Sequence, residues 1–487
     1  MRTILKYKFI AIVLMLLVFV SCEDFLDVNE HPNKQTTPVL STLTSSCIVQ
    51  AANVNYSLTY YGSRYAQHTS GVRGGQTDQY YENRMNSAWY RLYAVLLADL
   101  DELKKLATEK EAYHFLGVAQ ILNAAYLGAA SDFWGSLPYS EAFKGNENLT
   151  PAFDTQEQIY AEVYNMLDAA IANLQKSDIK YDFNGDGFET DFDLLYDGDT
   201  EKWIKLAHAY KARFLNHWSN TGSFDAAAVK SAVNSSFSSS DDDADFYYNS
   251  MDYSPYYSIV LANNTGNVSI MFSDYIIQVL NGNIYGTGLD PRLAIIADTT
   301  GTDYNGVYTG QVAGSDDARD TDLTFTENCW HFGESSANQL VTYAETQFIL
   351  AEIEINSGNK GTAFTAYENG LKANMEKLGV SSEDINTYIA ETGVTADNIS
   401  IGDVMKEKYI AMFLQYEAWN DIRRYDYGEG NDTYKNFPLP ANINPEMGGK
   451  HIRRVLYPLT EENRNGVSAN AAKGPDYGLL KPVVWNQ

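Results

Sequence analysis

Asp182, Asn184, Asp186, Gly187, Phe188 and Asp193 fall at positions 1, 3, 5, 6, 7 and 12 of one acidic segment. Hard oxygen donors at alternate residues, followed by a glycine that permits a sharp turn, are the pattern of a calcium loop, with the Phe188 carbonyl at position 7. The expectation is a structural Ca2+ that pins an insertion between two helices. Asp193 stands where a longer Glu usually closes the loop, which shortens the bidentate arm. A solvated acidic turn is the alternative reading of the same residues. The run Asp241 to Asp243 lacks ligand spacing and reads as a solvated loop.

A second chemistry sits at Cys22. Arg2, Lys6 and Lys8 precede an uninterrupted apolar stretch, Phe9 to Val20, then Ser21 and Cys22. A charged start, a short apolar core and a small residue before the cut make a secretory signal. Its twelve apolar residues make a helix of about 18 Å, short of the roughly 30 Å hydrocarbon core of a bilayer. Cysteine directly after the cut points to lipoprotein processing, with Cys22 as first mature residue carrying acyl chains such as palmitate. The competing readings are a soluble secreted chain and an uncleaved anchor. The division expected is therefore a signal peptide over 1–21, a polar tether over 22–40 and one ligand-binding domain over 41–487.

Catalytic signatures are missing: HExxH, GxSxG, a Walker loop and GxGxxG do not occur, and the seven histidines are scattered. The expectation is a binding protein and not an enzyme. With 36 Tyr, 21 Phe and 7 Trp, the chain is rich in rings with an apolar face, and such rings stack on sugars or grip peptides. The leading candidates lie in stretches without helical periodicity: Tyr80, Tyr81 and Trp330, then Tyr60, Tyr61 and Tyr285. Gln76, Asp78 and Asn83 are placed to bond hydroxyls. Packing inside the core is the competing reading for each ring taken singly.

The elements that must hold these residues are mainly helical. Trp89, Leu92, Leu96, Leu100 and Leu103 recur at spacings of 3 and 4, as do Phe115, Val118, Leu122, Ala125 and Ala129. Comparable stripes run through 203–218, 340–355 and 405–419. Helices arrive in pairs, 88–106 with 111–130, 156–175 with 201–219 and 343–357 with 361–378. Stacked helix-turn-helix units of tetratricopeptide type bury faces that no single helix could bury. Residues 50–87 and 232–340 resist this reading, and the second is expected to be a packed, loop-rich insertion.

Net charge is −28, and −31 once the three cations of residues 1–21 are removed, which disfavours nucleic acid and anionic headgroups as partners. Cys47 and Cys329 could pair, and equally could be two buried thiols. No CxxC occurs, which removes the usual thiolate zinc site.

Several short motifs follow one another in order. They are Cys22-Glu-Asp-Phe-Leu-Asp27, Asp132-Phe-Trp-Gly-Ser-Leu-Pro-Tyr139, Asp197-Gly-Asp199 before Lys202-Trp203, and Asp290-Pro-Arg-Leu293. Thr342-Tyr-Ala-Glu345 with Glu352, Glu417-Ala-Trp419 with Arg423-Arg424, and Tyr457-Pro458 complete the set. In this order the motifs resemble the SusD/RagB family of outer-membrane lipoproteins, in its SusD-like branch, across essentially the whole chain. The resemblance implies an α/α fold on four tetratricopeptide-like helix pairs, a lipid anchor at Cys22 and display on the cell surface. It also implies an oligosaccharide ligand, or a peptide in some members, and a SusC-like TonB-dependent β-barrel transporter as partner. A surface glycan hydrolase is the remaining alternative. His451-Ile-Arg-Arg454 departs from the proline-led segment that relatives often carry there.

Overall fold

The fold is that of a computed structural model, which describes residues 39–486 apart from 73–74, 82, 178–191, 250, 300–307, 320 and 475–477. Among the described residues no helix is long and apolar enough to cross a membrane.

Four helix pairs form the scaffold. Asn86–Tyr90 continues through a π-helical turn, Arg91–Leu96, into Leu97–Glu109, and packs against Tyr113–Trp134. Gln156–Leu174 pairs with Thr200–Asn216, Tyr343–Asn356 with Lys360–Leu378, and Ile401–Ala411 with the shorter Glu417–Arg424. Helix starts are fixed locally. Thr155 and Gln158 make a reciprocal capping box, Asp199 accepts from the amides of Glu201 and Lys202, and Ser400 pairs with Asp403. Close packing follows from small residues on the stripes. A methyl group on Gly128 would lie 2.5 Å from the Phe214 ring, so glycine is what lets Tyr113–Trp134 approach Thr200–Asn216.

Two expectations about elements are corrected. Residues 50–65, read as irregular, belong to one 26-residue helix, Leu40–Tyr65. Its buried stripe includes Thr44, Cys47, Ala51, Asn55, Leu58, Thr59 and Gly62, and a stripe of such small and polar residues carries little hydropathic contrast. The stripe at 405–419 is broken: the chain leaves the helix at Met412, and Leu414 takes φ of +57° before Glu417–Arg424 begins.

The 232–340 insertion is packed, as expected. Thr69–Gly71 pairs antiparallel with Ile270–Phe272, Thr69 opposite Phe272, and Ala244–Phe246 pairs antiparallel with Asn338–Val341 across a bulge at Ala244/Asp245. Of the acidic run there only Asp241 is exposed. Asp242 and Asp243 are buried, Asp242 against Lys205 and Asp243 against Lys377 and the Tyr343 amide. Burial pushes the Asp243 carboxyl up to about 6 against the pull of Lys377. Cys47 and Cys329 are both buried free thiols.

The ordered motifs converge on buried ion pairs. Arg213 forks onto Glu345 with two contacts of 2.6 Å and donates to the Tyr416 hydroxyl. Arg424 forks onto Glu352 at 2.6 and 3.0 Å and reaches Asp421, which also takes Lys408 at 2.8 Å. Arg292 bridges Asp290 and Glu407. Arg423 lies 3.7 Å above Trp419 and donates to the Asp132 carbonyl. The clasps Arg213–Glu345, Arg424–Glu352 and Arg292–Glu407 join segments more than 60 residues apart in sequence, whereas Arg423 is held by the Asp132 and Arg453 carbonyls and the Trp419 face.

Candidate ligand-binding surface

The loop after Thr69–Gly71 is tied to the end of Leu40–Tyr65 by one buried ion pair. Arg64 Nε donates to Asp78 Oδ1 at 2.6 Å, while Asp78 Oδ2 accepts the Gly71 amide at 2.6 Å and the Ser70 hydroxyl at 3.1 Å. The guanidinium fits because Gly71 and Gly75 lack side chains: a Cβ on either would lie 2.4 or 2.5 Å from Nη2. Asp78, expected to bond ligand hydroxyls, is therefore committed to holding the loop. Asn83 is buried, with Oδ1 accepting from the Tyr65 hydroxyl at 2.7 Å and its carbonyl accepting the Leu456 amide. Tyr80 is buried at φ +61° against Tyr65, and its carbonyl accepts from Asn444. These three anchor the loop from inside. Gln76 and Tyr81 stay exposed on it, joined by the Tyr81 amide to the Gln76 carbonyl.

Tyr60 and Tyr61 belong to a ladder of rings. Tyr61 meets Tyr60 edge-on at 5.4 Å, Tyr60 lies 6.3 Å from Tyr56, and Tyr56 meets Tyr256 edge-on at 4.9 Å. Residues 56, 60 and 64 are four apart, so they share one face of the helix, and the Arg64 guanidinium lies 5.9 Å from the Tyr60 ring. The second side of the ladder is the Pro255–Asn264 helix, whose first residue is a proline that leaves no amide unsatisfied. Tyr253 and Tyr257 pack edge-on at 5.8 Å at its start. A cavity of about 370 Å³ opens beside them, lined by Asn53, Tyr248, Met251, Asp252, Tyr253 and Ser258.

Trp330 is half-buried in the turn Trp330–Phe332. That turn lies against the same helix: Phe332 is 5.7 Å from Tyr256, and the Ser254 amide bonds the Glu334 carbonyl at 2.9 Å. The structure thus gathers Tyr60, Tyr61 and the Trp330 turn around Tyr56 and Tyr256. Tyr285 is elsewhere. Its hydroxyl donates to the Thr433 carbonyl, and the ammonium groups of Lys406 and Lys435 lie 5.7 and 5.6 Å from its ring. Tyr56, Tyr247, Met251, Tyr253 and Tyr257 were not singled out from the sequence. The signal was available in the run Tyr247-Tyr248, Tyr253 and Tyr256-Tyr257, five tyrosines within eleven residues.

Burial raises the phenol pKa of Tyr56 and Tyr61, so these rings stay neutral near pH 7. Tyr247 and Tyr253 are exposed. The surface offers flat apolar faces, with Asn53, Asp252 and Ser258 beside them to bond hydroxyls.

Of the proposed calcium ligands, Asp182, Asn184, Asp186 and Phe188 lie outside the described residues, as does Cys22. Asp193 is described and fully engaged. Its Oδ1 accepts the amides of Leu195 and Tyr196, and its Oδ2 accepts the Gly198 amide and Trp203 Nε1 at 2.9 and 2.8 Å. Four accepted hydrogen bonds use the lone pairs a cation would need. Among the described residues, Asp132, His217 and Glu417 lie close enough to share an ion. Their atoms already bond one another and their neighbours. Tyr160 bridges Asp132 and His217, His217 Nε2 meets Glu417 at 2.6 Å, and Asn420 and Trp485 donate to the carboxylates.

A family model described as starch-binding, associating with the outer membrane, of SusD-like type, matches residues 31–458. A SusD/RagB family protein from Bacteroides thetaiotaomicron has a similar solved structure, with 23% identity and a TM-score of 0.73 over 92% of this chain and 99% of that one. A chitin-binding SusD homologue from Flavobacterium johnsoniae matches at 19% identity and a TM-score of 0.71, over 91% of this chain and 98% of that one. An outer membrane protein from Bacteroides vulgatus, described as involved in nutrient binding, matches at 20% identity and a TM-score of 0.72, over 92% and 100%. No curated protein matches the chain significantly.

Proposed function

We propose a function from one premise: this chain belongs to the SusD/RagB family, whose members bind nutrients, glycans above all, at the outer membrane. In this reading the protein is a cell-surface lipoprotein, anchored through Cys22, that captures an oligosaccharide and delivers it to a SusC-like TonB-dependent transporter. The observation that carries it is the run of half-buried rings Tyr61, Tyr60 and Tyr56, backed from inside by the buried Tyr256 and flanked by the exposed Tyr253 and the half-buried Trp330. Such a surface stacks on the apolar faces of sugar rings and bonds hydroxyls at its edge. The solved chitin-binding relative supports a glycan in preference to a peptide.

Calorimetric titration with maltohexaose, chitohexaose and a peptide panel tests the ligand class. Glycan heat that falls about tenfold in affinity on Tyr253→Ala or Tyr60→Ala supports the reading, since losing one stacked ring costs roughly 1–3 kcal/mol. Peptide heat without glycan heat refutes it. Co-purification of a large β-barrel from detergent-solubilised outer membrane tests the partner. Fatty-acid labelling that disappears on Cys22→Ser tests the anchor.

A further inference from the structure

A second cavity lies away from the tyrosine surface. It has a volume of about 1070 Å³ and is built from the segments after the last scaffold helix, with Tyr427, Glu429, Asn436, His451, Arg453 and Asn486 among its walls. The backbone that shapes it is unusual. Asp426, Tyr427 and Gly428 have φ of +50°, +57° and +77° in succession, and Asn436 has +55°. Two adjacent non-glycine residues in this region persist only where their surroundings hold them. Here Trp419 Nε1 donates to the Tyr427 hydroxyl at 2.9 Å, that hydroxyl reaches the Ile452 carbonyl, and Arg453 pairs with Asp426.

The wall chemistry narrows the occupant. His451 lies flat on Tyr427, ring centroids 4.0 Å apart and planes 6° from parallel, and it remains half-exposed. Phe437 stands 5.5 Å from the same imidazole. The charges cancel: Arg424 is committed to Glu352 and Asp421, Arg453 to Asp426, and the exposed remainder is one Lys450 and one Glu429. A cavity without net charge does not select phosphate or another anion. Interleaved amides, carboxylate and cation do not make the continuous apolar groove that an amphipathic helix needs. The His451–Tyr427 platform beside the exposed Asn436 and Glu429 fits a neutral ligand dense in hydroxyl groups, while Asn486 and Arg453 bond one another and hold the wall through the Arg423 carbonyl and Asp426.

We infer that this cavity is a second saccharide-binding site, which takes a short neutral oligosaccharide independently of the tyrosine surface. It sits at the upper end of the roughly 300–1,000 Å³ range of ligand pockets, room for more than one sugar ring. The segment bounding it also touches the first loop, since the Asn444 amide bonds the Gln79 carbonyl at 2.8 Å.

The test uses the full chain in detergent, titrated with maltohexaose and chitohexaose up to millimolar concentration, followed by crystal soaks with the same sugars. The expected result is two classes of site. Asn436→Gly, which keeps the left-handed backbone and removes the amide, and Glu429→Ala each lower the affinity of one class about tenfold, with unchanged melting temperature. His451→Leu does the same if it folds, and Tyr253→Ala affects only the other class. A single class abolished by Tyr253→Ala overturns the inference and leaves the proposed function standing. A single class abolished by Asn436→Gly keeps the cavity and removes the tyrosine surface. No binding of either sugar, or density for a peptide in the cavity, overturns the inference.

Discussion

Removing the Asp78 carboxylate should detach the first loop and cost a measurable share of stability. Arg64 and Asp78 have side chains only 8% and 0% exposed, and their 2.6 Å contact joins the end of Leu40–Tyr65 to the loop. Asp78→Ala leaves the guanidinium buried without its counter-charge, which costs about 3–5 kcal/mol. It also strips the Gly71 amide and the Ser70 hydroxyl of their acceptor. For a chain of 487 residues, the unfolding entropy near the midpoint is about 1.0 kcal/mol/K, so the midpoint should fall by about 3–5 °C. The double substitution Arg64→Met/Asp78→Leu removes both charges and should regain at least half of the loss, because a pair replaced by apolar groups is close to neutral. Differential scanning calorimetry reads the midpoint, and hydrogen exchange at the Gly71 amide reads the loop directly. A fall under about 1 °C for Asp78→Ala, or a double variant no better than the single, would refute the reasoning.

Burial pushes the Glu352 carboxyl up, but the charge and hydrogen bonds of Arg424 outweigh it and hold it at about 2, against an ordinary 4.5. A carboxyl with a depressed folded pKa stabilises above its unfolded value and loses that contribution as pH falls. The stability gap between wild type and Glu352→Gln should therefore be full at pH 7 and shrink as pH drops from about 4.5 toward 2, followed by urea unfolding. Asp193→Ala should cost about 1–3 kcal/mol through its lost amide and indole donors, equally in excess calcium and in EDTA, by thermal melting; a loss confined to calcium would restore Asp193 as a ligand. Gly128→Ala should destabilise by about 1–3 kcal/mol despite alanine's better helix propensity, because the added methyl meets the Phe214 ring; pairing it with Phe214→Leu should relieve the loss.

The helix pairs were legible because Leu, Phe, Trp and Ala recur on their stripes, and periodicity survives wherever burial is apolar. Leu40–Tyr65 hid because its inner face includes the polar Thr44, Asn55 and Thr59, which blur the apolar stripe. Thr44 Oγ1 donates to the Leu40 carbonyl at 2.7 Å, and Asn55 reaches Asn338 at 2.6 Å. The site was legible by residue type and not by role. Asp78, Tyr80 and Asn83 lie in the expected loop, yet each faces a partner distant enough in sequence that spacing says nothing of it. Arg64, Tyr65 and Asn444 are those partners. Tyr60 and Tyr61 lie on the ring ladder, whereas the neighbouring rings of 247–257 carried no periodic signal to set them apart from other tyrosines.

The residues that carry the family resemblance and those of the proposed ligand surface are separate sets. Asp132, Arg292, Glu345, Glu352, Glu417 and Arg424 are buried and paired, and Arg423 is buried against the Asp132 and Arg453 carbonyls. A buried ion pair adds little over an apolar contact, but breaking one is costly, so each motif residue demands its partner. In the 247–258 segment Tyr248 and Tyr256 are buried against the frame, but Tyr247, Met251 and Tyr253 project from the surface and take no part in any clasp. Specificity can then change at those three positions with little cost to the scaffold. Grafting the residues at 247, 251 and 253 from a chitin-binding relative should therefore move glycan preference while leaving the melting temperature within a few degrees. A graft that unfolds the protein would show that these positions are part of the frame.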